Sequence, residues 1–136
     1  MKVLIFGVFD LFHPGHDHFI GESAKLGDEL VVVVARDTSV VKRKGRHAEH
    51  DEIKRMAAVS GFKYVTQVEL SDEVEGKYEV VNRIKPDVIA LGHDQHALRD
   101  DLQRAMQEGI IPEIRLVEIS AHEPHKFKTS KIRNLN

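Results

Sequence analysis

The sequence predicts an α/β domain, a five-stranded parallel sheet with helices packed on both faces in three layers. Three observations carry this. Val3–Phe6 (VLIF), Leu30–Ala35 (LVVVVA) and Val88–Leu91 (VIAL) are apolar without interruption, which suits strands buried on both sides rather than strands with one wet face. Stretches of helical pattern separate the runs, so the strands are joined by crossovers, which are right-handed in parallel sheets. The chain has 136 residues, enough for one core and too few for two, so a single domain is expected over residues 1–136.

Val3–Phe6 opens the sheet. Pro14 to Leu26 reads as a helix: Pro14 suits a first-turn position that needs no N–H, Phe19, Ile20 and Ala24 face inward, and Gly27 closes it. Leu30–Ala35 is the second strand. Asp37–His50 is polar, rich in Lys and Arg, and reads as a loop. Asp51–Ser60 is a helix with Gly61 at its end, and Tyr64–Leu70 is a more polar strand, nearer an edge. Lys77–Lys85 is a helix halted by Pro86. Val88–Leu91 ends at Gly92, Ala97–Glu108 is an exposed helix with Gly109 beyond it, Ile114–Ile119 is the last strand, and Thr129–Asn134 is a short terminal helix.

Composition narrows the function classes. Hydrophobic residues make up 41% and charged residues 31%, with 20 basic against 22 acidic side chains and a net charge of −2. That balance creates no general field for nucleic acid or membranes, so any handling of anions is local. The absence of Cys removes disulfides, thiolate metal sites and Cys nucleophiles, and fits a cytoplasmic protein. The longest apolar run is far shorter than a membrane span, and Met1–Phe6 is too short for a secretion signal.

Parallel sheets bind ligands outside the carboxyl ends of their strands. Gly7–His16, Arg36–Arg46 and Gly92–His96 follow three strands, so His, Lys, Arg and Asp side chains converge on one rim. In His13-Pro14-Gly15-His16 a helix begins, leaving its first backbone N–H groups unpaired at the positive end of the dipole. Such an end accepts a phosphate. Gly15 lets the ligand approach, and His13 and His16 can both reach it. A pair of surface His, or two zinc ligands, are the alternatives at this spacing; the nearby carboxylates are Asp10 and Asp17.

The same residues carry a resemblance. "GVFDLFHPGH" resembles the G-[TV]-FD-x-x-HxGH signature of the cytidylyltransferase-like nucleotidyltransferases, with Val8 at the position where Thr is usual. "VVVVARDTSVVKRKGR" resembles the second-strand segment of that family, whose Lys contacts the triphosphate; Lys42 matches best, beside Lys44 and Arg46. Arg55 in "DEIKRM" matches an Arg that opens the following helix in relatives. "IKPDVIALGHDQ" resembles the segment that frames ribose and base, and "KFKTSKIR" stands where relatives carry an STSxIR-like element.

The resemblance implies a Rossmann-like three-layer sandwich that moves an NMP from an NTP to a phosphate-bearing acceptor and releases pyrophosphate. It implies catalytic roles for His13, His16 and Lys42. Nucleotide contacts are implied for Gly7, Val8, Phe9, Asp10, Pro14, Gly15, Arg55, Gly92, His93, Asp94, Gln95 and His122, with Thr129 and Ser130 holding the outer phosphates. Mg²⁺ would come with the nucleotide, with no metal held by the protein alone, and the chain would pair as a homodimer without nucleic-acid or membrane partners.

Within the family, "LGDELVVVVARD", "KRKGR" and "IKPDVIALGHDQ" resemble the archaeal FAD synthase subgroup most, which implies ATP and FMN as substrates. CTP-dependent glycerol-3-phosphate cytidylyltransferases share much of the framework, and Arg46–Asp72 fits neither subgroup closely. A nucleotide-binding regulator without catalysis is the reading from another class. Among smaller features, His47, His50 and the acidic run Asp72–Glu75 are expected to be solvated, and Phe12 and Phe19 to serve the core or a dimer contact.

Overall fold

The computed structural model describes residues 1–10 and 14–121. In chain order the elements are β1 (Lys2–Gly7), α1 (Pro14–Ala24), β2 (Glu29–Val34), α2 (Asp37–Lys44), α3 (Glu52–Ser60), β3 (Gln67–Leu70), α4 (Glu79–Ile84), β4 (Val88–Gly92), α5 (His96–Gln107) and β5 (Arg115–Ile119). The five strands form one parallel sheet in the order β3-β2-β1-β4-β5. From β1 the chain winds out to β2 and β3, then returns across the sheet to β4. The order therefore reverses between β1 and β4, which is where such sheets open a crevice for ligands.

The uninterrupted apolar runs are buried on both sides, because alternate side chains of one strand enter different cores. Val3, Ile5, Leu30, Val32 and Val34 pack with Ile20 of α1 and Val59 of α3. Leu4, Val31, Val33, Ile89 and Leu91 face the other way, onto Val80, Val81 and Ile84 of α4 and Leu102 and Ala105 of α5. This is the three-layer sandwich expected. Phe19 packs against the first of these clusters, so it belongs to the core. Among the described residues no helix is long and apolar enough to cross a membrane.

Four boundaries differ from the sequence reading. Asp37–His50 is not all loop: α2 occupies its first part, anchored by buried Val40 and ended by Gly45 at φ 73°. The basic side chains Lys42, Arg43 and Lys44 lie in its last turn, where the helix dipole favours them. β3 begins only at Gln67, leaving Tyr64 exposed. α4 begins at Glu79, because Tyr78 stands in the left-handed region at φ 50° and the Asp72 carboxylate accepts the Glu79 and Val80 N–H groups at 2.6 and 3.0 Å. Asp72 is thus a cap rather than a merely solvated charge. α1 ends at Ala24, after which a side chain at Gly27 would collide with the Met1 carbonyl oxygen. The expected terminal helix Thr129–Asn134 lies outside the described residues.

Candidate active site

The rim is built around the exit of β1, and each carbonyl there is held from a different side. Phe6 O accepts the Gln95 side-chain amide at 2.9 Å, Gly7 O accepts Ala35 N–H at 2.9 Å, and Val8 O accepts Arg55 Nη1 at 3.0 Å. Phe9 follows with φ 53°, a backbone conformation that costs a non-glycine residue about 1–3 kcal/mol and needs surrounding support. The support is burial: Phe9 is 3% exposed. Its ring lies across Gly7, where a Cβ would come within 2.5 Å of Phe9 Cε2. The same ring meets the His16 imidazole edge-on, with centroids 5.6 Å apart at 71°. His16 sits in the first turn of α1, half-buried, so the Gly7–Phe9–His16 stack fixes one of the two motif imidazoles.

Asp10 draws a distant loop to this exit. Its carboxylate accepts the backbone N–H groups of Glu49 and His50 at 2.6 and 2.8 Å, and its carbonyl lies 3.1 Å from His50 Nδ1. A carbonyl can only accept, so Nδ1 carries the proton. Burial pushes the Asp10 carboxyl up, but the two backbone donors and His50 outweigh it and hold the group below its ordinary value. His50 is therefore a loop anchor and not simply solvated. Its hydrogen bonds run to a residue forty positions away, which no local pattern reveals.

Beyond β2, Arg36 donates through Nε to Ser71 O at 2.5 Å and through its backbone N–H to Ser71 Oγ at 3.0 Å. This ties the exits of β2 and β3 together. Lys42 projects from α2 with its side chain 75% exposed, 3.8 Å from Glu75, which also meets Arg43 at 3.5 Å. Glu75 belongs to the acidic run read as solvated; here it faces the basic helix. The loop carrying it is braced from α5: Arg104 Nη2 donates to Gly76 O at 3.0 Å, and the Tyr78 hydroxyl donates to Asp101 at 2.5 Å. Burial, then that bond, pushes the Tyr78 hydroxyl well above the usual phenol range, so it stays a donor.

Beyond β4, Gln95 Oε1 accepts Gly92 N–H at 2.8 Å while its Nε2 reaches Phe6 O. Both ends of the amide are thus used to bridge β4 and β1. His93 and Asp94 are exposed beside it and are free to meet a ligand. Arg55 differs from the expectation of nucleotide contact. Its side chain is 0% exposed, and it donates to His50 O, Val8 O, Ala35 O and the Asp37 carboxylate at 2.6–3.0 Å. A guanidinium so enclosed supports the rim from beneath. His13, His122, Thr129 and Ser130 lie outside the described residues, and of Pro14 only its place at the start of α1 is described.

The structure thus brings Gly7, Val8, Phe9, Asp10, Gly15, His16, Lys42, Gly92, His93, Asp94 and Gln95 to the carboxyl ends of three adjacent strands, β2, β1 and β4. Neighbouring strands stand about 4.8 Å apart, so the outer two exits are about 10 Å from each other, a span that a nucleotide's phosphates and sugar can bridge. A half-buried imidazole at a helix start, exposed cations on the adjoining exit and polar groups beyond β4 suit phosphoryl chemistry on a nucleotide. Ser71, Asp37 and Glu75 also belong to this rim; the first two were not singled out from sequence and Glu75 was read only as part of a solvated run, since each acts through a partner far along the chain.

A family model described as Cytidylyltransferase-like matches residues 4–135. The chain is 40% identical to the FAD synthase of Pyrococcus horikoshii over 134 residues, covering 97% of this chain and 89% of that protein. It is likewise 40% identical to the FAD synthase of Thermoplasma volcanium, covering 98% of this chain and 92% of the relative. A crystal structure from the same Thermoplasma species, titled as a lipopolysaccharide core biosynthesis protein, superposes with a TM-score of 0.80 at 41% identity, over 90% of this chain and 98% of that one.

Proposed function

The chain belongs to the cytidylyltransferase-like family, and on that premise we propose that it is an FAD synthase, transferring AMP from ATP to FMN and releasing pyrophosphate. The observation that carries this reading is the 40% identity to curated FAD synthases over nearly the whole length of both chains. A phosphate oxygen of FMN attacks the α-phosphorus of ATP in line; the new P–O bond forms as the bond to the bridging oxygen breaks, and pyrophosphate departs with that oxygen. The attacking phosphate is already anionic, so no general base is needed. Catalysis then rests on positioning and on stabilising charge.

Each rim group takes a part in this reading. His16, oriented by Phe9, donates to a non-bridging oxygen as charge builds in the transition state, and His13 of the same motif shares that work. Lys42 offsets the charge of the triphosphate. Gly7, Val8, Phe9, Asp10, Pro14 and Gly15 form the wall beside the phosphates, and Gly92, His93, Asp94 and Gln95 that beside ribose and base. His122, Thr129 and Ser130 complete it by resemblance. Among the described residues no three His, Asp or Glu side chains gather as a cation site. By the family resemblance, Mg²⁺ would come with the nucleotide's own phosphates and would offset their charge. A homodimer in the cytoplasm is part of the same reading.

The test is to incubate the protein with Mg²⁺, FMN and either ATP or CTP and to separate the flavins by chromatography. FAD formed from ATP supports the reading. A CDP-linked product from glycerol 3-phosphate, without FAD, assigns the chain to the cytidylyltransferase alternative.

A further inference from the structure

Arg55 is the largest fully buried side chain of the described residues, and where its hydrogen bonds go is informative. Nε donates to His50 O, Nη1 to both Val8 O and Ala35 O, and Nη2 to Asp37. Four of the five N–H groups a guanidinium carries are thus consumed on four segments: the exit of β1, the exit of β2, the loop anchored by Asp10, and the first turn of α2. The Asp37 end is tied a second time, because its backbone N–H donates to Glu52 Oε1 of α3 at 2.8 Å. Helix α2 therefore hangs from α3 by two bonds at its first turn, while Lys42 sits near its other end, about 7.5 Å further along the axis. Apart from the exposed contact to Glu75, Val40 is the only fully buried side chain holding α2 in place.

We infer that Asp37 and Arg55 form a positioning pair, in which the buried guanidinium fixes the direction of α2 against the β1 exit and so aims Lys42 at the triphosphate. The inference rests on the role given to Lys42 under the proposed function. Neither residue touches the nucleotide. Arg55 has no open face, and Asp37, a carboxylate 40% exposed on a rim that takes polyanions, would repel phosphates if its charge acted alone. The two possibilities therefore differ in sign. Loss of a repelling charge tightens ATP binding; loss of the tether loosens it.

The experiment is a double-mutant cycle of Asp37→Ala and Lys42→Ala, with ATP affinity read by calorimetry in the absence of FMN and folding followed by thermal melting. Asp37→Ala is expected to weaken ATP binding about 5- to 20-fold with Lys42 present and less than about 2-fold in the Lys42→Ala background, because contacting groups are coupled. Asp37→Asn keeps an acceptor oxygen for Nη2 and is expected to restore binding to within about 2-fold. If Asp37→Ala melts too low to assay, Asp37→Ser, also short but well suited to a helix start, takes its place. Equal factors in both backgrounds, unchanged binding or tighter binding each overturn the positioning pair while leaving Lys42 in its role. Unchanged affinity in Lys42→Ala alone removes the role of Lys42, and the pair with it.

Discussion

Replacing Gly7 by Ala adds a single methyl group where the Phe9 ring lies. The new Cβ would stand 2.5 Å from Phe9 Cε2 and 2.6 Å from Cζ, against a comfortable carbon–carbon separation of about 3.5–4 Å. Gly7 is not among the glycines with positive φ, so the backbone tolerates Ala and the whole cost is the contact. The ring must move by about 1 Å, and its edge already rests on His16. Over-packing of this kind costs about 1–3 kcal/mol of stability, and a misplacement of about 1 Å at a catalytic group can lower the rate about 10²-fold. Gly7→Ala is therefore expected to fold, melt lower and lose about two orders of magnitude in kcat for FAD formation, followed by flavin chromatography. Gly21→Ala is the control, since apart from its chain neighbours and the local helix backbone no atom of the described residues lies within 4 Å of its Cβ; there the better helix propensity adds about 0.5–1 kcal/mol and activity stays. A Gly7→Ala protein with wild-type kcat would refute the idea that the Gly7–Phe9 stack sets the His16 ring.

His16→Ala should lower kcat about 10²–10³-fold with much less change in ATP affinity, since its hydrogen bond strengthens only as charge develops; equal losses in kcat and binding would contradict that role. Asp10 is held below its ordinary carboxyl value, so its contribution to stability is present above about pH 4 and is lost as pH falls through the folded-state value. Melting of wild type and Asp10→Asn should accordingly differ at pH 7 and draw together as pH falls below the ordinary carboxyl range, whereas a gap independent of pH would show that the charge is not what holds residues 49 and 50. Light scattering should give twice the 15.4 kDa chain mass at micromolar concentration if the chain pairs; the monomer mass removes the dimer.

What the sequence revealed follows from how each residue is held. The runs Val3–Phe6, Leu30–Val34 and Val88–Leu91 of β1, β2 and β4 are legible because layers on both faces leave them no polar position, and Leu30–Val34 is 1% exposed or less throughout. Helix α2 is not, because one buried residue, Val40, gives no periodicity to read. The motif placed His16 at a helix start, yet the Phe9 ring that orients it depends on a positive φ, which a Phe does not advertise. Arg55 was recognisable as part of the rim while its direction was not: an Arg normally reaches water, and only the convergence of three carbonyls and Asp37 keeps it inside. His50 was read as solvated and Ser71 was not singled out for the same reason, since each bonds to a segment folded in from more than thirty residues away.

The most direct test of the account is to measure pyrophosphate and FAD together when the protein is given Mg²⁺ and ATP with and without FMN. Direct transfer to a phosphate acceptor predicts one pyrophosphate for each FAD, none without FMN, and little of either when CTP replaces ATP. Pyrophosphate from ATP in the absence of FMN, or release only from CTP with glycerol 3-phosphate, would contradict it.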